Sequence, residues 1–122
     1  MATYDNLPVY KESYDLLILT FSVVKNFEKQ YKYTIGDKIK NEIVDLITSI
    51  YRANSSFETR LQNIKKSREQ IEVLKLYFRL SRDLKIIKLS YFADLSFKTE
   101  SLSKQLYSWE NSIKIKKETK IL

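Results

Sequence analysis

The sequence predicts an all-α fold, an antiparallel up-down bundle of four helices in a single domain over residues 1–122. Three observations predict it. Glycine and proline occur once each, at Gly36 and Pro8, whereas a sheet protein of this size needs many turns and the residues that make them. Apolar residues recur at spacings of three and four through most of the chain, the period of an amphipathic helix. The breaks between these runs are short, and short connections make consecutive helices antiparallel neighbours.

Pro8 suits the first turn of the first helix, where its missing N–H costs nothing. Tyr10, Tyr14, Leu17, Phe21 and Val24 follow at four and three and predict the inner row of a helix over 8–31, widened by Leu16, Ile18, Leu19 and Val23. Lys32 to Gly36 form the first turn. Thr34 precedes Asp37 by three, a capping-box-like start for a second helix over 35–53. Its inner row is Ile39, Ile43, Leu46 and Ile50, with Ile47 and Tyr51 beside it. Asn54, Ser55 and Ser56 then compete for backbone hydrogen bonds and break the pattern. Ser55 and Glu58 have capping-box spacing for the third helix, over 56–89. Leu89 and Ser90 make the last turn, with Ser90 as N-cap. Phe92, Leu95, Thr99, Leu102, Leu106, Trp109 and Ile113 alternate spacings of three and four, the most regular helical signal in the chain, and predict a fourth helix over 91–115. Lys114, Lys116, Lys117 and Lys120 make a basic C-terminal tail.

The third helix organises the rest. Without Pro or Gly it would reach about 50 Å at roughly 1.5 Å per residue. Phe57, Leu61, Ile64, Ile71 and Phe78 fall near one face. Val73, Leu76, Tyr77, Leu80, Leu84 and Ile87 fall near the opposite one. Two apolar faces are two surfaces to bury; one packs within the subunit and the other asks for a second copy of the chain. On the first face Arg68, Lys75, Arg79 and Arg82 follow at seven, four and three, which brings them into one stripe. Lys85 and Lys88 lie further round, and Arg60, Lys65 and Lys66 extend the charge toward the helix start. Arginine offers bidentate contacts to phosphate. Glu72 and Asp83 stand within salt-bridge spacing, but no acid of this helix interrupts the stripe between Lys75 and Arg82.

Composition narrows the chemistry. Lys and Arg outnumber Asp and Glu by 22 to 15, a formal charge of +7, which favours polyanionic partners, nucleic acid before anionic membrane. There is no Cys and no His. That removes thiol chemistry, the commonest general base and the commonest metal ligand. A di-metal carboxylate bundle needs Glu-x-x-His on inner faces, so no metal site and no cofactor are expected. Asp15, Glu42, Asp45, Glu69, Glu72 and Asp83 read as solvated or salt-bridging positions, and no enzymatic activity is expected. The polar, acid-bearing start MATYDNLPVYKE is unlike a signal peptide. No apolar run approaches the roughly 18 residues of a membrane span, so a cytoplasmic protein with no membrane partner is expected. Tyr31 and Tyr33 flank Lys32; they could stack on bases or close the end of the bundle.

Several segments taken in order carry a family resemblance. NLPVYKESYDLL, KYTIGDKIKNE, IYRANSS, IEVLKLYFRLSRDLK and ESLSKQLYSW resemble the accessory variability determinant (Avd-type) proteins of diversity-generating retroelements. These are part of the four-helix-bundle family that also holds proteins encoded in intervening sequences of bacterial 23S ribosomal RNA genes. The resemblance covers nearly the whole chain, and KYTIGDKIKNE and YRAN point to the retroelement branch. It implies a ring of five four-helix subunits with a basic surface, a non-catalytic protein that binds RNA and DNA. Such a protein associates with the retroelement reverse transcriptase and supports error-prone copying of a template RNA. The alternative is an oligomeric protein–protein scaffold of the ribosomal branch without a retroelement role. The nucleic-acid-binding residues expected from the stripe are Arg68, Lys75, Arg79, Arg82, Lys85 and Lys88.

Overall fold

The computed structural model describes the backbone of residues 8–121 and the side chains of residues 8–116. The lead-in Met1 to Leu7 and the side chains of the tail lysines Lys117 and Lys120 lie outside the described residues. Within them the chain forms four long helices and one helical turn: α1 (Pro8–Val24), α2 (Lys29–Lys32), α3 (Ile35–Ser55), α4 (Arg60–Asp83) and α5 (Leu89–Ile121). The described residues contain no strand. α1 packs on α3, α3 on α4 and α4 on α5, and α5 returns to α1, so the four long helices close a bundle. Along α4, from Arg68 to Arg82, the partners on α5 run backwards from Glu110 to Phe92, so this pair is antiparallel.

The core is the apolar stripe of each helix turned inward. Leu16, Ile39, Ile43, Leu46, Ile50, Ile64, Ile71, Leu74, Leu95, Leu102 and Leu106 are fully buried, each worth about 1.5–3 kcal/mol relative to exposure. The inner rows of the second and fourth predicted helices hold in α3 and α5. In α1 the row is rotated. Val9, Ser13, Leu16, Thr20, Val23 and the expected Val24 face inward, while Tyr14, Ile18 and Phe21 are exposed. α1 is apolar on most sides, so periodicity alone does not orient it. Ser13 and Thr20 are small, and their hydroxyls donate to the Tyr10 and Leu16 carbonyls at 2.7 and 2.6 Å. They can be buried without an unpaired hydroxyl, and a neighbouring helix can close on them.

The element boundaries also differ from expectation, each for a local reason. The first helix stops at Val24 rather than 31, because the Asn26 and Phe27 amides turn back onto the Val23 and Val24 carbonyls and Phe27 is buried at the corner. Gly36 is helical, and its lack of a side chain matters there. A Cβ would stand 2.9 Å from Val24 Cγ1 and 3.1 Å from the Tyr31 carbonyl oxygen. Thr34 precedes α3 but makes no side-chain cap; its hydroxyl donates backward to the Gln30 and Tyr31 carbonyls. Ser55 is the last residue of α3, so the Ser55–Glu58 capping box does not form. Instead Arg60 donates through Nε to the Ala53 carbonyl at 2.8 Å and through Nη2 to the Asn54 carbonyl at 3.0 Å, placing a cation on the negative end of α3. Ser90 lies inside α5 rather than capping it.

The long third helix is 24 residues rather than a continuous run to Leu89. Lys85 takes a left-handed conformation, φ 61°. Its amide bonds to the Arg82 carbonyl and the Ile86 amide to the Ser81 carbonyl, both at 3.0 Å. This is a Schellman ending, with lysine where glycine is usual. The two-faced reading of this helix divides. Ile64, Ile71 and Phe78 are buried, Phe57 lies before the helix and is exposed, and Ile87 is buried beyond it. Leu76, Leu80 and Leu84 remain exposed on the outer side.

Candidate nucleic-acid interface

The basic stripe lies on the flank of α4 that faces α5, beside the buried row rather than on it. This follows from spacing: Arg68, Lys75 and Arg82 each come one residue after the buried Ser67, Leu74 and Ser81, about 100° further round the helix. That flank meets α5, and α5 supplies acids and rings that the spacing within α4 does not reveal.

Three of the six expected cations are held by partners. Arg68 donates through Nη1 to Glu110 Oε1 at 3.0 Å and its guanidinium sits 5.1 Å from the Tyr107 ring. Lys75 bonds Glu100 at 2.6 Å and Glu72 at 3.3 Å. Arg82 reaches Asp83 at 3.0 Å and stacks 4.8 Å from the Phe92 ring. Along the stripe between Lys75 and Arg82, where α4 itself offers no acid, α5 therefore brings Glu100. Phe78, Arg79, Phe92, Ser96 and Thr99 line the same groove with Lys75, Arg82 and Glu100. Arg79, Lys85 and Lys88 are exposed and have no carboxylate in ion-pair reach among the described residues. The Lys88 ammonium lies 5.7 Å from the Tyr91 ring, and Lys85 stands on the α4–α5 connection. Arg60, which extended the stripe in the sequence, is committed to the end of α3.

Electrostatics follow the pairing. Burial pushes the Lys75 ammonium down, but the Glu100 hydrogen bond and the Glu72 charge outweigh it and hold it above the ordinary lysine range. Glu100 is correspondingly lowered by its Lys75 bond. Glu110 is buried. The hydrogen bond from Lys114, at 2.7 Å, and then that from Arg68 hold its carboxyl below the usual range against the opposing effect of burial. Glu42, by contrast, is raised by burial and by Asp45. Sequence reasoning missed Glu100, Glu110, Tyr107 and Phe92 as partners of the stripe; the antiparallel register of α4 and α5 is the signal that would have paired them.

Along the seam Arg68, Lys75 and Arg82 are therefore held and locally neutralised, while Arg79 beside them and Lys85 and Lys88 on the connection are open to solvent. The seam can receive an extended polyanion. Among the described residues no group of three or more His, Cys, Asp or Glu could hold a metal ion, and no helix is long and apolar enough to cross a membrane.

No curated protein matches the chain significantly. A family model described as bAvd-like matches residues 9–113, a range that runs from the first turn of α1 to the buried Ile113 of α5 and contains all six expected cations. By this match over most of its length, the chain belongs to the bAvd-like family.

Proposed function

We propose that this protein is a non-catalytic, nucleic-acid-binding accessory protein of a diversity-generating retroelement. In this reading it works in the cytoplasm, associates with the element's reverse transcriptase and template RNA, and supports error-prone cDNA synthesis. The observation that carries the reading is the family match over residues 9–113. The formal charge of +7 and the cations aligned on the α4–α5 seam agree with it.

The mechanism is multivalent phosphate contact. Arg79, Lys85 and Lys88 meet phosphates directly. Arg68, Lys75 and Arg82 are ordered in advance, but each shares its charge with a carboxylate and so contributes less. Subunits assemble through their exposed apolar strips into a ring of five, and the ring multiplies weak contacts through effective concentration. Binding of structured RNA at two salt concentrations tests this. Affinity falls steeply with salt if phosphates carry the interaction; absent or salt-insensitive binding ends the phosphate mechanism.

The carboxylates on Arg68, Lys75 and Arg82 favour a second reading, an oligomeric scaffold whose partners are proteins only. Replacing Arg79 and Arg82 with Glu separates the two. RNA binding that survives while reverse-transcriptase association fails selects the scaffold.

A further inference from the structure

The corner where α1, α2 and α3 meet carries a second group of cations, absent from the seam. Lys25 follows α1, Lys32 ends α2 and Lys40 lies in the second turn of α3. All three line one open cleft with Phe21, Ser22 and Val24. They converge because Gly36 lets the start of α3 close onto Val24 and the Tyr31 carbonyl. Lys25 and Lys32 have no carboxylate in ion-pair reach among the described residues. Lys40 pairs with Asp37 at 3.3 Å and holds its ammonium 5.9 Å from the Phe21 ring. Three ammonium groups around one cleft repel one another, and a phosphate between them relieves that repulsion.

An exposed aromatic residue follows the cleft's Lys32 directly in the chain. Tyr31 packs on the core and closes the bundle end. Tyr33, immediately after Lys32, is 64% exposed. An exposed ring next to clustered cations is the arrangement that holds single strands, with phosphates on the cations and a base on the ring. A duplex keeps its bases stacked on each other and offers the ring nothing.

We propose that this corner is a second contact for single-stranded nucleic acid, with Lys25, Lys32 and Lys40 taking a phosphate and Tyr33 stacking on a neighbouring base. It rests on the nucleic-acid reading above but uses none of the seam residues. The bundle topology places this corner at the end of the seam where its open lysines lie. α1 and α4 finish there, and α3 and α5 begin there, so Lys85 and Lys88 share that end with the corner.

The test uses the full chain and three fluorescent probes: a short single-stranded RNA, the matching duplex, and polyphosphate. The variants are Lys25→Glu with Lys32→Glu, Tyr33→Ala and Tyr33→Phe, with thermal melting as the check on folding. The lysine variant is expected to weaken all three probes. It should also lower the single-strand salt slope by about 0.7, the change for one phosphate left unneutralised. Tyr33→Ala is expected to weaken single-stranded RNA by about fivefold or more and leave duplex and polyphosphate unchanged, while Tyr33→Phe binds as the wild type does. RNA binding by the wild type that none of these variants alters overturns the corner and leaves the seam standing. Equal loss of RNA and polyphosphate on Tyr33→Ala overturns the stacking. A wild type that binds no RNA overturns both sites.

Discussion

Glu110 shows how much a single residue's setting departs from its identity. It is a charged residue in a buried position, sustained by Lys114 on its own helix and Arg68 across the seam. Glu110→Gln leaves two cations facing a neutral amide and is expected to destabilise the fold by about 1–2 kcal/mol. A charge-assisted hydrogen bond is worth about 1.5–3 kcal/mol, discounted here because both cations are partly in water. The pH dependence has a definite sign. The folded carboxyl titrates below its ordinary value of 4.5, so the unfolded chain takes up the proton first as pH falls. The stabilisation is fully present above about pH 4.5 and is lost as pH drops through the folded pKa. Urea melts across acidic pH should show this loss in the wild type and a flatter profile in the variant. Glu42 acts in the opposite direction, since its raised pKa favours the folded state when protonated.

At the scale of the element, the ends of the helices decide the geometry, and two substitutions probe them. Lys85 sits at φ 61°, a conformation that costs a residue with a Cβ about 1–2 kcal/mol and glycine almost nothing. Lys85→Gly is therefore expected to raise stability by about 1 kcal/mol while weakening RNA binding, measured by chemical denaturation and by titration of the same sample. Gly36→Ala works the other way. Its methyl group must displace Val24 or the Tyr31 carbonyl, and overpacking of this kind costs about 1–3 kcal/mol. A lower melting temperature with unchanged helical content checks it. Neither end is legible in the sequence. The α4 stop uses a lysine where the familiar signal is glycine, and the single glycine marks a close approach rather than the turn itself.

At the scale of the whole molecule, large apolar side chains on several of the described helices remain in water. Leu76, Leu80 and Leu84 follow the outer side of α4; Tyr14 and Phe21 on α1 and Val44 and Tyr51 on α3 are exposed as well. Contiguous exposed apolar surface of this kind marks an interface. Exposed apolar residues on α4 and on α1 and α3 give one subunit two different surfaces, which suits a head-to-tail contact, the kind that closes into rings. If the protein forms the proposed ring, it sediments well above 14.6 kDa at micromolar concentration, and Leu76→Lys with Leu80→Lys yields a folded monomer. That monomer should also bind RNA much more weakly, because effective concentration is lost with the ring. Monomeric sedimentation of the wild type would end the assembly model.

The helical class, the inward rows of α3 and α5, and the presence of a cationic stripe on α4 could all be read from the order of residues. Each of these depends on periodicity within one element, and periodicity is local. Which face of α1 is buried could not, since α1 is apolar on most sides and only packing against α3 and α5 chooses between them. Packing also brought Glu100 and Glu110 across from α5 to Lys75 and Arg68, so that two of the stripe's cations are neutralised from another helix. It gathered Lys25, Lys32 and Lys40 around one cleft. Charge pairing and convergence depend on distances between residues remote in the chain, and those distances exist only once the helices have packed.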